Sequence, residues 1–186
     1  MWKVTADKEI LDSILMGLNF EKMLYSAEVK NWVDRRERTT EELEKYGCFM
    51  SAWCHGSAGI LLGRSKIYND IPSIYKEEIE DNISAALSSS TQIGLSTNDC
   101  LCHGNLGNTE IFLEYAKIFG DDTIRNKYQK VRNEIAKEIC KDSYDCGRKY
   151  LYGYKIPGFM TGISGMGYSL LRDLDKRLPC VLSIEL

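Results

Sequence analysis

Apolar residues recur along this chain at the spacing of a single helix face. Ile10, Leu11, Ile14, Leu15 and Leu18 follow an i, i+1, i+4, i+5, i+8 pattern, and Met23, Leu24 and Ala27 continue it. A second face reads Tyr75, Ile79, Ile83, Ala86, Leu87, and a third reads Tyr128, Val131, Ile135, Ile139. Between them lie apolar segments at Ile60–Leu62 and Ile111–Phe119, and Ile163, Met166, Leu170, Leu171 and Leu174 close the series. The pattern predicts an all-α fold of about six amphipathic helices. Only Cys180–Leu186 has the character of a strand.

Two kinds of helix alternate. Those holding Tyr75–Leu87 and Tyr128–Ile139 carry a charged face, including Lys76, Glu77, Glu80, Lys130, Glu134 and Lys137. Those starting near Gly59, Gly107 and Gly165 are shorter and more apolar, as expected of helices enclosed by others. Each enclosed helix is introduced by a Gly-x-x-Gly phrase: GSAG at 56–59, GNLG at 104–107 and GISG at 162–165. The phrases recur at intervals of 48 and 58 residues, which marks a repeated helix pair. Charged Arg35–Glu44, polar Ser88–Asp99 and glycine-containing Cys146–Gly158 read as loops, and none reads as an interdomain linker. The 186 residues therefore form one domain, 1–186.

Composition narrows the classes. Hydrophobic content of 44% with 27% charged residues is that of a folded globular chain rather than a disordered one. The net charge is −3, and signs alternate, as in Asp34-Arg35-Arg36-Glu37-Arg38, so no basic stripe is available to a nucleic acid. No run approaches the roughly 18 apolar residues of a transmembrane segment, and residues 1–9 do not form a signal peptide. These features predict a cytoplasmic protein. Seven cysteines in a reducing compartment point to metal or catalysis before disulfides.

The two histidines of the chain both follow a cysteine and precede the first glycine of a repeat phrase, in Trp53-Cys54-His55-Gly56 and Leu101-Cys102-His103-Gly104. If the helix pairs stack side by side, equivalent turns lie together and Cys54 meets Cys102 and His103. Two thiolates and an imidazole are a borderline-soft set suited to Zn²⁺, and three protein ligands leave a fourth tetrahedral position for water or substrate. His55 is a candidate fourth ligand, but is better read as a pocket residue or a partner that orients a ligand. Cys48, Cys140, Cys146 and Cys180 read as core or incidental thiols, and Cys100-x-Cys102 is a less favoured redox pair.

WCHGSAG followed by LCHGNLG resembles the lanthionine synthetase C-like family, and more narrowly the cyclase domain that ends bifunctional class II lantibiotic-modifying enzymes. Residues 157–168 (PGFMTGISGMGY) and Leu178-Pro179-Cys180-Val181-Leu182 add to the likeness, with Asn31-Trp32 a less specific match. The resemblance implies an α/α toroid, of which this chain would supply about three inner/outer helix pairs, the C-terminal portion. It implies Zn²⁺ on Cys54, Cys102 and His103, and a dehydrated precursor peptide as substrate. The activity implied is addition of a peptide cysteine thiolate to dehydroalanine or dehydrobutyrine, giving a thioether ring. The family's acid/base histidine lies upstream of the zinc phrases, and no histidine precedes His55 here, so the proton donor to the enolate stays open, with His55 and Tyr154 as candidates. Half a ring would expose inner helices, which predicts self-association or a missing N-terminal half. The reading of another class is a zinc-stabilised helical module that binds a peptide or protein without turnover.

Overall fold

The computed structural model describes residues 5–36, 48–96, 98–141, 143–146 and 156–183. Tyr154, most of the Arg35–Glu44 and Cys146–Gly158 loops, and the last three residues lie outside the described residues. The chain is all-α in character: α1 (Lys8–Lys22), a hairpin of β1 (Tyr25–Ser26) and β2 (Asn31–Trp32), then α2 (Ser57–Ile67), α3 (Lys76–Ile93), α4 (Asn105–Phe119), α5 (Asp122–Cys140) and α6 (Ile163–Leu174). Among the described residues no helix is long and apolar enough to cross a membrane.

Two helices outside the enclosed set begin on aspartate caps. Asp121 caps α5 by accepting from the Ile124 N–H at 2.9 Å, and Asp7 caps α1 by accepting from the Glu9 N–H at 2.9 Å. The enclosed helices begin differently. Gly56, Gly104 and Gly162 stand at their N-caps and offer no side-chain oxygen. Instead the first helical N–H donates to a carbonyl seven residues back: Ser57 to Met50 at 3.2 Å, Asn105 to Asn98 at 2.8 Å, Ile163 to Ile156 at 2.8 Å. The incoming chain thus folds across the start of its own helix.

That fold-back explains the glycine phrases. A Cβ on Gly59, Gly107 or Gly165 would overlap the carbonyl oxygen of Trp53, Leu101 or Phe159, each six residues earlier. The first glycines meet the same obstacle, Gly56 at Met50 and Gly162 at Ile156, with Gly56 also at φ +81°. The repeat read from the sequence is therefore one local structure built three times.

The inner helices form a row, α2 beside α4 and α4 beside α6, with α3 packed on α2 and α5 on α4. This gives two inner/outer pairs and a third inner helix, an arc of an α/α toroid. Among the described residues α6 has no outer helix following it. Leu61, Leu101, Leu106, Ile111 and Met166 are buried between layers, and Phe112 of α4 stacks on Tyr128 of α5 with centroids 3.9 Å apart.

Four details depart from the sequence reading. The first helix stops at Lys22, so Met23, Leu24 and Ala27 do not extend it; Tyr25 and Trp32 instead pair across the hairpin with rings 4.8 Å apart. Residues Ser88–Ile93 belong to α3, because Ser89 and Ser90 are buried and Ser90 bonds Ser57 of α2 at 2.8 Å. Val181–Ser183 is a 3-10 turn rather than a strand, its Leu182 carbonyl taken by Trp53 Nε1 at 2.8 Å. Finally, the inner helices are not purely apolar. Glu110 and Glu114 of α4 are buried and held by Arg172 of α6 at 2.6 and 3.0 Å, with Lys66 of α2 on Glu114 at 2.7 Å. Arg132 of α5, 1% exposed, joins Asp173 at 2.9 Å and the Ser169 carbonyl at 2.7 Å.

Two alanine substitutions separate close approach from helix propensity. Gly107→Ala meets the Leu101 carbonyl and is expected to cost about 3 kcal/mol or more. Gly63→Ala, with open space around its Cβ inside α2, is expected to stabilise by roughly 0.5–1 kcal/mol. Urea unfolding of the two variants checks both signs.

Candidate metal centre

The turns that carry Cys54 and Cys102 are joined edge to edge. The Cys54 N–H donates to the Cys102 carbonyl at 3.4 Å, and the Cys102 N–H donates to the Met160 carbonyl at 2.8 Å. Each residue occupies the same place in its repeat, two positions before the first glycine. Residues one repeat apart are consequently neighbours, and their side chains leave adjacent chains on a common side. Asn108 of α4 tightens the junction by donating to the Ser51 carbonyl at 2.7 Å.

The outcome is a cluster of Cys54, Cys102 and His103, all half-buried, whose donor atoms lie within 4.8 Å of one another. Tetrahedral zinc at about 2.3 Å from each sulfur spans roughly 3.8 Å between sulfurs, so such donors need little movement to share one ion. The donor set, two sulfurs and one imidazole, fits Zn²⁺ by softness as well as by number. In the third turn Met160 and Thr161 stand where the other two have Cys and His, so the third repeat copies the backbone without the donors.

The thiols are electrostatically unequal. Cys54 is pulled down to about 4, chiefly by the hydrogen bond from Cys102, with burial opposing and His103 and His55 assisting. Cys102 is pushed far up by that same bond, by burial and by the charge on Cys54. The pair thus surrenders one proton readily and holds the second. Both thiols also precede the first turn of an inner helix, where uncancelled N–H dipoles favour negative charge.

His55 does not join the cluster. It is 31% exposed, with Nδ1 3.8 Å from Asp34 Oδ1. Cys100, Cys146 and Cys180 are buried, Cys48 is half-buried and Cys140 is exposed; none is in a disulfide. Cys100 is 0% exposed and stands apart from the cluster, which gives no support to a Cys100–Cys102 redox pair.

Sequence reasoning missed two neighbours of the cluster. Beyond β2 the chain runs beside residues 48–50, with the Asp34 N–H on the Cys48 carbonyl at 2.8 Å. There the Asp34 side chain is 1% exposed and grips Arg36 through Nε at 3.0 Å and Nη2 at 2.6 Å. The Arg36 pKa is raised, first by the Asp34 bond against a burial penalty, then by the charges of Asp34, Cys54 and Cys102. In the sequence both residues vanish into an alternating charge run. The cue was Asn31-Trp32: buried Asn31 donates to the Met50 carbonyl at 3.0 Å and anchors the segment.

A family model described as "Lanthionine synthetase C-like protein" matches residues 1–186. The chain is 26% identical over 187 residues to "Lacticin 481/lactococcin biosynthesis protein LcnDR2" of Lactococcus lactis subsp. lactis, across 95% of this chain and 19% of that relative. It therefore spans about a fifth of the length of the curated relative it matches.

In metal-free protein the depressed Cys54 thiol is expected to keep its alkylation rate nearly constant from pH 8 down to about pH 5. An ordinary cysteine, with a pKa near 8.5, slows about tenfold per pH unit over that range. Iodoacetamide labelling followed by peptide mapping, with the denatured chain as reference, tests this.

Proposed function

The chain belongs to the lanthionine synthetase C-like family, and on that premise we propose that it is the zinc-bearing portion of a lanthionine-forming cyclase in lantibiotic maturation. The observation that carries this reading is the convergence of Cys54, Cys102 and His103 at the junction of two repeats. These three would hold the ion. Bound there, Zn²⁺ would supply Lewis acidity that makes an incoming peptide thiol a thiolate at neutral pH.

The protein's own residues do the rest. Cys54, Cys102 and His103 would be the ion's three protein ligands, and the Met160-Thr161 turn adds no thiolate or imidazole to them, so substrate sulfur would have room to bind. The fixed spacing of the Cys54 and Cys102 turns would set the position of that sulfur. The substrate is a precursor peptide carrying cysteine together with dehydroalanine or dehydrobutyrine. None of the seven cysteines is in a disulfide, which fits a reaction carried out in a reducing cytoplasm.

We further propose that the chain associates with a second copy. Ile163, Leu171 and Leu174 of α6 are 40%, 54% and 85% exposed, a face whose cover among the described residues is missing.

Two experiments follow. Zinc-loaded protein mixed with a dehydrated, cysteine-containing peptide should consume free thiol with no loss of peptide mass. Cys54→Ala should reduce the rate at least 100-fold and lower bound zinc. Zinc binding without thiol consumption would instead identify a non-catalytic peptide- or protein-binding module. In sedimentation equilibrium the parent chain should exceed monomer mass, and Leu171→Asp with Leu174→Asp should return it to monomer; a monomeric parent at micromolar concentration would remove the proposed contact.

A further inference from the structure

The Asp34–Arg36 arm lies outside the candidate metal cluster, yet it reaches the turn that supplies Cys54 through His55, the residue next to that cysteine. Asp34 is a buried carboxylate with two neighbours of functional character, Arg36 on both its oxygens and His55 Nδ1 at 3.8 Å. A buried carboxylate is costly unless it is paired, and here the pairing fixes a guanidinium that is itself 56% exposed in its side chain. Asp34 takes Nε and Nη2, and Nη2 also reaches Met50 Sδ at 3.8 Å; Nη1 makes no hydrogen bond among the described residues. Met50 opens the first turn, four residues before Cys54 and six before Gly56, where its carbonyl fills the space a Cβ would take. The arm therefore presents a held, cationic, partly unsatisfied donor beside the turn that carries Cys54.

We propose that Arg36 is the oxyanion donor of this site, with Asp34 as its positioning residue; the assignment rests on the cyclase reading above. When the peptide thiolate adds to a dehydroamino acid, a C–S bond forms at the β-carbon. The π pair of the alkene moves to the α-carbon and onto the adjacent carbonyl oxygen, giving an enolate. The Nη1 hydrogens of Arg36 donate to that oxygen as its charge develops. A proton from solvent then adds at the α-carbon, replacing the one lost when the thiol ionised, so the sum is thiol plus alkene to thioether. A guanidinium held at a fixed place before the reaction needs no reorganisation as the charge appears, which is the condition under which such donors lower a barrier most.

The test uses the full zinc-loaded chain with R36Q and R36K. R36Q should keep its zinc and hold KM within about twofold, while kcat falls about 100- to 1,000-fold. R36K leaves Asp34 a cationic partner and so protects the fold; it should recover only part of the rate, because an ammonium lacks the planar fork. Equilibrium binding supplies a readout independent of turnover. By titration calorimetry the parent should bind mercaptoacetate about tenfold more tightly than 2-mercaptoethanol, since the carboxylate imitates the charged oxygen, and R36Q should lose that preference. Wild-type kcat in R36Q, a rate loss that tracks zinc loss, or a carboxylate preference unmoved by R36Q would overturn the assignment and leave the cyclase reading standing. A parent chain that consumes no thiol would overturn both.

Discussion

Two backbone hydrogen bonds set the site. Cys54 N–H on the Cys102 carbonyl and Cys102 N–H on the Met160 carbonyl tie three successive turns together at the separation of hydrogen-bonded chains, about 4.8 Å. Side chains leaving equivalent positions of such neighbours are already within reach of one another. The bonds can form only if each turn lies flat across the start of its helix, and the turn lies flat only where a glycine leaves room for a carbonyl. Steric exclusion at Gly56, Gly59, Gly107, Gly162 and Gly165 thus comes first, backbone pairing second, and the gathering of two sulfurs and an imidazole last.

The far ends of the inner helices are organised by charge. Lys66, Glu114, Arg172 and Glu110 link α2, α4 and α6 in one chain of contacts, and Arg132 binds α5 to α6 through Asp173 and Ser169. Burial works against the ionised form of Glu114, yet Lys66 and Arg172 hold its pKa below the usual carboxylate range. Each charge is satisfied in one register of its neighbour, so a helix slipped by a turn would leave a buried ion without a partner. The apolar core supplies burial, which many registers could share; the ions select among them.

Much of this was legible in the chain. Helix positions followed from apolar period, the threefold repeat from the glycine phrases, and the meeting of Cys54 with Cys102 and His103 from the repeat itself. What stayed hidden has a common cause. Glu110, Glu114, Arg132 and Asp34 are charged residues whose partners are distant in sequence or obscured by neighbouring charges, and a lone charge in a one-dimensional pattern reads as solvent-facing. The early stop of α1 at Lys22 was equally unreadable, because Met23 and Leu24 keep helical spacing while tertiary pairing of Tyr25 with Trp32 decides the outcome. Ser88–Ile93 resembles a loop in composition, but small hydroxyl residues also let two helices approach closely, as Ser90 and Ser57 do.

The third turn carries a lesson about modularity. Met160 and Thr161 replace the thiol and imidazole of its siblings, yet its glycines, its fold-back bond and its place in the ladder are unchanged. Scaffold and reagent are therefore written at different letters of the same phrase. Selection acting on reactivity can rewrite the residues just ahead of a glycine while architecture, guarded by the glycines themselves, stays fixed.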